Sequence, residues 1–271
     1  MPAEEKERTL SVEDFAGFLG ALEGSGLEVV VIGGLAVGTY ASLRGERVLS
    51  ADLHVYTTQE TQVQIMDWAP SHGARIVKRP QPRGISVAFL EWDGKEINVL
   101  SHTVGLRPPA ESIQDARVFH LRKAEGLCVM VADPYDLLAC KLEVNRPKDR
   151  PHQEVLRSFL EEEVVEAFRT EPGNRDRIAP AGRLLEVLKL ERLPADLARR
   201  LLPHARSASD FRFLIGRAPD REFEDAVLAA VPEALGLRED IRRIVERRRK
   251  EPPTGASARP PRARPAPPSA R

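Results

Sequence analysis

Val29-Val30-Val31-Ile32-Gly33-Gly34-Leu35-Ala36 and, further along, Ser50-Ala51-Asp52-Leu53-His54-Val55 decide how this chain folds. The β-branched run from Glu28 to Ile32 predicts a buried strand. It enters two glycines directly, and a short helix is expected from Leu35 to about Ser42. A strand that delivers the chain into glycines and a helix start gathers backbone N–H groups at one point, where a phosphate can come close. Alternation over Ala51–Thr57 sends Leu53 and Val55 one way and Asp52, His54 and Tyr56 the other. Asp52 and His54 then project from one side, about 7 Å apart along the strand. That spacing suits a divalent metal holding a triphosphate. Two glycines after a strand also serve tight helix–sheet packing, and the neighbouring Asp52 favours a site.

The flanking sequence supplies further elements. Ser11 caps a helix with Asp14 three residues on, Phe15, Phe18, Leu19 and Leu22 fall on one face, and Gly24-Ser25-Gly26 stops it. Thr58 caps a helix to Trp68, and Arg75–Lys78, Ile85–Trp92 and Lys95–Leu100 read as strands. Asp93-Gly94 is a two-residue hairpin signal between the last two. Leu127–Ala132 is another strand, after which Asp133 caps a helix with Pro134 at its first position. Beyond residue 152 only helices are expected, near 152–168, 181–190, 195–205, 209–216, 220–231 and 233–249, punctuated by prolines. The expected organisation is an α/β domain over 1–150, a helical domain over 151–250, and a disordered basic tail over 251–271 with seven prolines.

Composition bounds the function. The chain has 271 residues, 41 basic and 41 acidic groups, and 42% hydrophobic residues, enough for a core. The zero net charge hides a gradient. From Arg238 onward 11 Lys/Arg face 4 Asp/Glu, which leaves 30 basic and 37 acidic groups in residues 1–237. A basic footprint over the whole body is excluded; a basic tail is not. The two cysteines, Cys128 and Cys140, cannot build a disulfide framework or a structural zinc site, and packing is the reading for both. The charged start lacks the apolar core of a signal peptide, and Val29 to Ser42 falls short of the ~20 apolar residues of a membrane span. A cytoplasmic protein with no membrane partner is expected.

Gly33-Gly34-Leu35-Ala36, Arg44 and Arg47 upstream of Ser50, and Asp52 with one apolar residue before the next polar one resemble the opening motif of the nucleotidyltransferase superfamily. The nearest resemblance is to the AbiEii-type and minimal nucleotidyltransferases of bacterial toxin–antitoxin and phage-defence systems. A second block, Asp133-Pro134-Tyr135-Asp136-Leu137-Leu138-Ala139-Cys140-Lys141-Leu142 and then Arg146-Pro147-Lys148-Asp149, is similar to that group's lysine-bearing helix and following turn. The resemblance spans about residues 29–160. It implies a mixed, partly antiparallel sheet with a helical domain beside its cleft. It implies an NTP bound at Gly33, Gly34, Ser50, Lys141, Arg146, Lys148 and Asp149. It implies Mg²⁺ or Mn²⁺ on Asp52 with His54 and Glu96, and an RNA or protein hydroxyl as acceptor.

The departures carry equal weight. Members of the group place acids where this chain has His54, Asn98 and His152. Glu96 lies on the same strand face as Asn98 and is the candidate substitute. Magnesium prefers oxygen ligands, imidazole suits other metals, and a neutral carboxamide adds no charge. Two functions follow. One is transfer of a nucleotidyl group by a catalytic set of Asp52, His54, Glu96 and Asn98. The other is a degenerate binding or regulatory module that keeps the cleft, with nucleotide, RNA or a cognate toxin or antitoxin protein as partner. Arg247-Arg248-Arg249-Lys250 either complements a helix C-terminus or belongs to a basic partner surface.

Overall fold

The computed structural model describes residues 10–250 apart from 49, 82–86, 123 and 125. The tail over 251–271 therefore lies outside the described residues, as do Ile85 and Ser86 at the start of one expected strand. The chain divides into two compact units, Met1–Glu191 and Arg192–Arg271.

The first unit is built on α1 (Ala16–Gly24), β1 (Val30–Ile32), α2 (Gly33–Ser42), β2 (Leu53–Tyr56), α3 (Gln59–Trp68), β3 (Arg75–Lys78), β4 (Val87–Trp92) and β5 (Lys95–Leu100). It continues with α4 (Pro109–Gln114), β6 (Arg117–His120), β7 (Cys128–Val131), α5 (Pro134–Val144), α6 (Arg150–Thr170) and α7 (Asn174–Leu188). Seven strands form one mixed sheet in the order β3-β4-β5-β2-β1-β7-β6. β1 runs antiparallel to β2 and parallel to β7, and β2 runs parallel to β5. The register sets Ile32 opposite His54, and His54 opposite Asn98. The central strands are largely apolar, with Val30, Val31, Leu53, Val55, Ile97 and Val99 fully buried.

Local signals explain most boundaries. The Thr58 side chain accepts from the Thr61 amide, and Asp133 accepts from the Tyr135 amide ahead of Pro134. Asp93 and Gly94 both have positive φ, 49° and 68°, which the two-residue hairpin between β4 and β5 requires. The short elements α4 and β6 carry too few residues for a periodic signal and were not expected from sequence. Pro180 does not stop a helix; α7 begins at Asn174 and carries it inside. The Tyr135 hydroxyl donates to the Pro180 carbonyl, tying this point of α7 to α5.

α6 packs against α2, α5 and α7, α5 packs against α2 and α7, and the Tyr40 ring of α2 touches both Phe119 of β6 and Phe159 of α6. A second aromatic group, Phe18, Trp68 and Trp92, joins α1, α3 and β4. α6 and α7 thus belong to the sheet-bearing unit, and the chain divides after Glu191 rather than near residue 150. The physical reason is the apolar stripe Leu156, Phe159, Leu160, Val164 and Phe168, buried along the length of α6.

The second unit contains α8 (Ala195–Leu201), α9 (Ala208–Gly216), α10 (Arg221–Ala230) and α11 (Arg238–Lys250) around Phe211, Leu214, Ile215, Phe223, Val227, Ile241 and Val245. Arg248 donates to the carbonyls of Ile215 and Gly216, closing the end of α9, and Arg249 pairs with Asp225. Two of the four basic residues at the end of α11 are therefore engaged within the unit.

Candidate functional site

The chain leaves β1 at Ile32, which precedes α2 and has no side-chain oxygen to cap it. Gly33 turns the corner at φ 75°, in the left-handed region. A methyl group there would stand 2.7 Å from Nδ1 of His54. One at Gly34 would stand 2.7 Å from Oγ of Ser50 and 3.6 Å from Cε1 of His152. Both glycines are required because His54, Ser50 and His152 close around the start of α2.

Asp52 lies just ahead of β2. Its Oδ2 accepts a hydrogen bond from Nδ2 of Asn98 at 2.9 Å and lies 2.9 Å from Nε2 of His54. Ser50 Oγ is 3.3 Å from the Asp52 carbonyl and 3.4 Å from its Oδ1. The hydrogen bond to His54 holds the Asp52 carboxyl below the usual carboxylate range against the opposing effect of burial, and the charge of Lys148 adds to it. Asn98 is 5% exposed, and its Oδ1 is buried without a partner among the described residues. Tyr56, expected on the Asp52 side of the strand, is buried and donates to the Arg107 carbonyl.

The turn after α5 forms a second group. Asp149 is 1% exposed and takes Nζ of Lys141 at 2.8 Å and Nε of Arg146 at 2.6 Å. These two cations hold its carboxyl far below the ordinary range although burial opposes them. His152 Nδ1 is 3.9 Å from Asp149 and is buried without a hydrogen-bond partner among the described residues. Burial pushes the His152 imidazole down, and Lys141 adds to the shift.

The structure thus brings Gly33, Gly34, Ser50, Asp52, His54 and Asn98 together, with His152 beside them. It does not bring Glu96. That residue is exposed, opposite Glu91 on β4, and no three His, Cys, Asp or Glu side chains among the described residues are grouped to hold a metal ion. The expected ligand set of Asp52, His54 and Glu96 is therefore not assembled. Lys141 and Asp149, expected to face a nucleotide, are buried against each other, and Arg146 is drawn onto the same carboxylate. Lys148 remains exposed.

Two-metal nucleotidyl transfer relies on several carboxylate oxygens to hold both ions. At the Gly33 corner the donors are one carboxylate whose Oδ2 is engaged by Asn98 and His54, the His54 imidazole and the Asn98 carboxamide, while the nearby Asp149 carboxylate is taken by Lys141 and Arg146. These donors do not fit a pair of Mg²⁺ or Mn²⁺ ions.

A further constellation joins Asp133 and Asp136 of the second motif block to arginines that no motif marked. Arg107 is bound to Asp136, Asp136 and Asp133 to Arg183, and Asp133 to Arg117, which also binds Glu163. Arg183 stacks on Tyr135 with 4.4 Å from its guanidinium carbon to the ring centre. A cavity of about 570 Å³ beside Arg107, Asp136 and Arg183 adjoins it. Its members come from the loop before α4, the edge strand β6, the start of α5, α6 and α7, so no local spacing announces the whole set.

No family model matches the chain, and no curated protein matches it. Among solved structures it is similar to a Thermotoga maritima protein described as a putative nucleotidyltransferase, at 17% identity over 56% of this chain and 92% of that one, with a TM-score of 0.39. It is similar to ANT(2")-Ia in complex with adenylyl-2"-tobramycin, at 16% identity over 64% and 97%, with a TM-score of 0.39. A nucleotidyltransferase-like protein of Paracoccidioides brasiliensis aligns at 12% identity over 87% and 92%, with a TM-score of 0.31.

Proposed function

We propose that this chain is a nucleotidyltransferase-like protein that keeps a nucleotide-facing cleft and has lost the two-metal centre, so that it works as a binding or regulatory module. The observation that carries this reading is the double engagement of Asp52 Oδ2 by His54 and Asn98. A carboxylate held in that way is the anchor of a side-chain hydrogen-bond network and is poorly placed to bridge two cations. The glycine corner at Gly33–Gly34, walled by Ser50, His54 and His152, supports retention of the phosphate end of the cleft. The motif resemblance supports an AbiEii-like origin, and with it a cognate toxin or antitoxin protein or an RNA as the partner to test first.

The test is a labelling assay on the full chain. Each of ATP, GTP, CTP and UTP, labelled at the α-phosphate, is incubated with total RNA and a protein extract in Mg²⁺ or Mn²⁺. No transfer is expected. Transfer that is abolished by Asp52→Asn would overturn the reading in favour of an active transferase.

A further inference from the structure

The residues around the start of α2 carry more positive than negative charge. Two carboxylates stand there, Asp52 and Asp149, against Lys141, Arg146 and Lys148, and two imidazoles, His54 and His152, lie beside them. Asp149 is fully compensated by Lys141 and Arg146, and Asp52 is already engaged by His54 and Asn98. Three cations stand against two carboxylates, so an incoming polyanion meets a net positive group in which Asp52 is the carboxylate held by hydrogen bonds rather than by a bonded lysine or arginine.

Two buried polar atoms at this place lack partners among the described residues: Nδ1 of His152 and Oδ1 of Asn98. A buried polar atom without a hydrogen bond destabilises the fold, and a ligand that supplies the partner removes that cost. His152 Nδ1 suits an acceptor such as a phosphate oxygen, and Asn98 Oδ1 suits a donor such as a ribose hydroxyl. Asn98, only 5% exposed, is fixed through Nδ2 to Asp52, whose other neighbour His54 walls the Gly33 corner. The ten-residue helix α2 directs its uncapped first-turn amides at the same point.

We infer that the cleft binds a nucleotide directly through its phosphates without a divalent cation, the amides of Gly33–Gly34, Ser50, His152 and Lys148 doing what a bound metal would otherwise do. This mode of recognition rests on the nucleotide-binding reading and deepens it. Lys148, exposed and not drawn onto Asp149 as Arg146 is, serves as the long-range attractor. Lys141 acts only as a positioning residue, by holding Asp149 and the turn that carries His152.

The experiment is calorimetric titration of the full chain with ATP, GTP, CTP and UTP, each in excess EDTA and in excess Mg²⁺. At least one nucleotide is expected to bind in EDTA with a Kd within about twofold of its Kd in Mg²⁺. Lys148→Ala, a surface change that leaves the fold intact, is expected to weaken binding in EDTA by about 3- to 10-fold. His54→Asp should make binding depend on Mg²⁺. Binding that requires Mg²⁺ in the wild type overturns the metal-free mode and leaves the nucleotide-binding reading standing. Absence of binding under both conditions overturns that reading itself, and the metal-free mode with it. An unchanged Kd for Lys148→Ala removes Lys148 from the site.

Discussion

Nδ2 of Asn98 donates to Oδ2 of Asp52 across 2.9 Å, linking two neighbouring strands at the mouth of the cleft. An aspartate at position 98 would place two carboxylates in that contact, and one of them would have to stay protonated or find a cation. The carboxamide makes the same contact attractive without help. The stability of this corner is thereby uncoupled from metal, and the coupling can be restored by mutation.

His54→Asp combined with Asn98→Asp gathers three carboxylates at this point. The double variant is expected to melt below the wild type in EDTA and to recover with Mg²⁺ or Mn²⁺, because ligand binding to the folded state alone stabilises it. The wild type should shift much less. Melting curves with and without metal measure both effects, and a wild type that gains several degrees from Mg²⁺ contradicts the role of Asp52 as anchor of a metal-free network.

Asp149→Ala leaves the Lys141 ammonium, 9% exposed, without its counter-ion. Removal of one partner of a buried pair costs about 3–5 kcal/mol. Asp149→Asn should cost less, since the amide oxygen still accepts from Nζ. Urea unfolding of the two variants ranks them, and equal stability of Asp149→Ala and wild type contradicts a buried, mutually dependent pair.

Gly33→Ala and Gly182→Ala should move stability in opposite directions. At Gly33 the backbone has φ 75° and the new methyl meets His54 at 2.7 Å. The loss should exceed about 1 kcal/mol. At Gly182, inside α7, nothing lies within 4 Å, and alanine should stabilise by roughly 0.5–1 kcal/mol. Thermal melts of the two single variants make the comparison; a stabilised Gly33→Ala would mean that the corner has room for a side chain.

Acid should destabilise the protein through Asp149, Asp52 and His152, all three of which are shifted down in the fold. As pH falls through the ordinary histidine range, the unfolded chain takes up a proton that folded His152 refuses. The same happens with Asp52 and Asp149 as pH falls through the ordinary carboxylate range. Their contribution is present above those ranges and lost below them. Denaturant unfolding from about pH 8 to about pH 3 should show stability declining in both windows. His152→Gln should flatten the upper window and Asp149→Asn the lower one; an unchanged profile in either variant refutes the assignment for that residue.

By itself the sequence determined the order of elements around the cleft. Valines and isoleucine before Gly33-Gly34, the alternation at Leu53 and Val55, the Asp93-Gly94 turn and the Asp133-Pro134 helix start are signals within a few residues of the structure they specify. Strand parity put Asp52 and His54 on one side of their strand, and the resemblance to the nucleotidyltransferase motifs supplied the expectation that Asn98 stands beside them. Only the tertiary structure decided what those side chains do. Glu96 and Asn98 share a strand face, yet Asn98 is paired in register with His54 and buried while Glu96 ends exposed beside Glu91. Lys141 lies on an apolar helix face and its fate depends on Asp149, eight residues away around a turn. Pro180 reads as a break but sits inside α7, where the hydroxyl of Tyr135 from another helix takes its carbonyl. Local propensity sets which element forms; burial and the partner that reaches a group from elsewhere in the chain set its charge and its role, and those depend on contacts that no spacing in the sequence encodes.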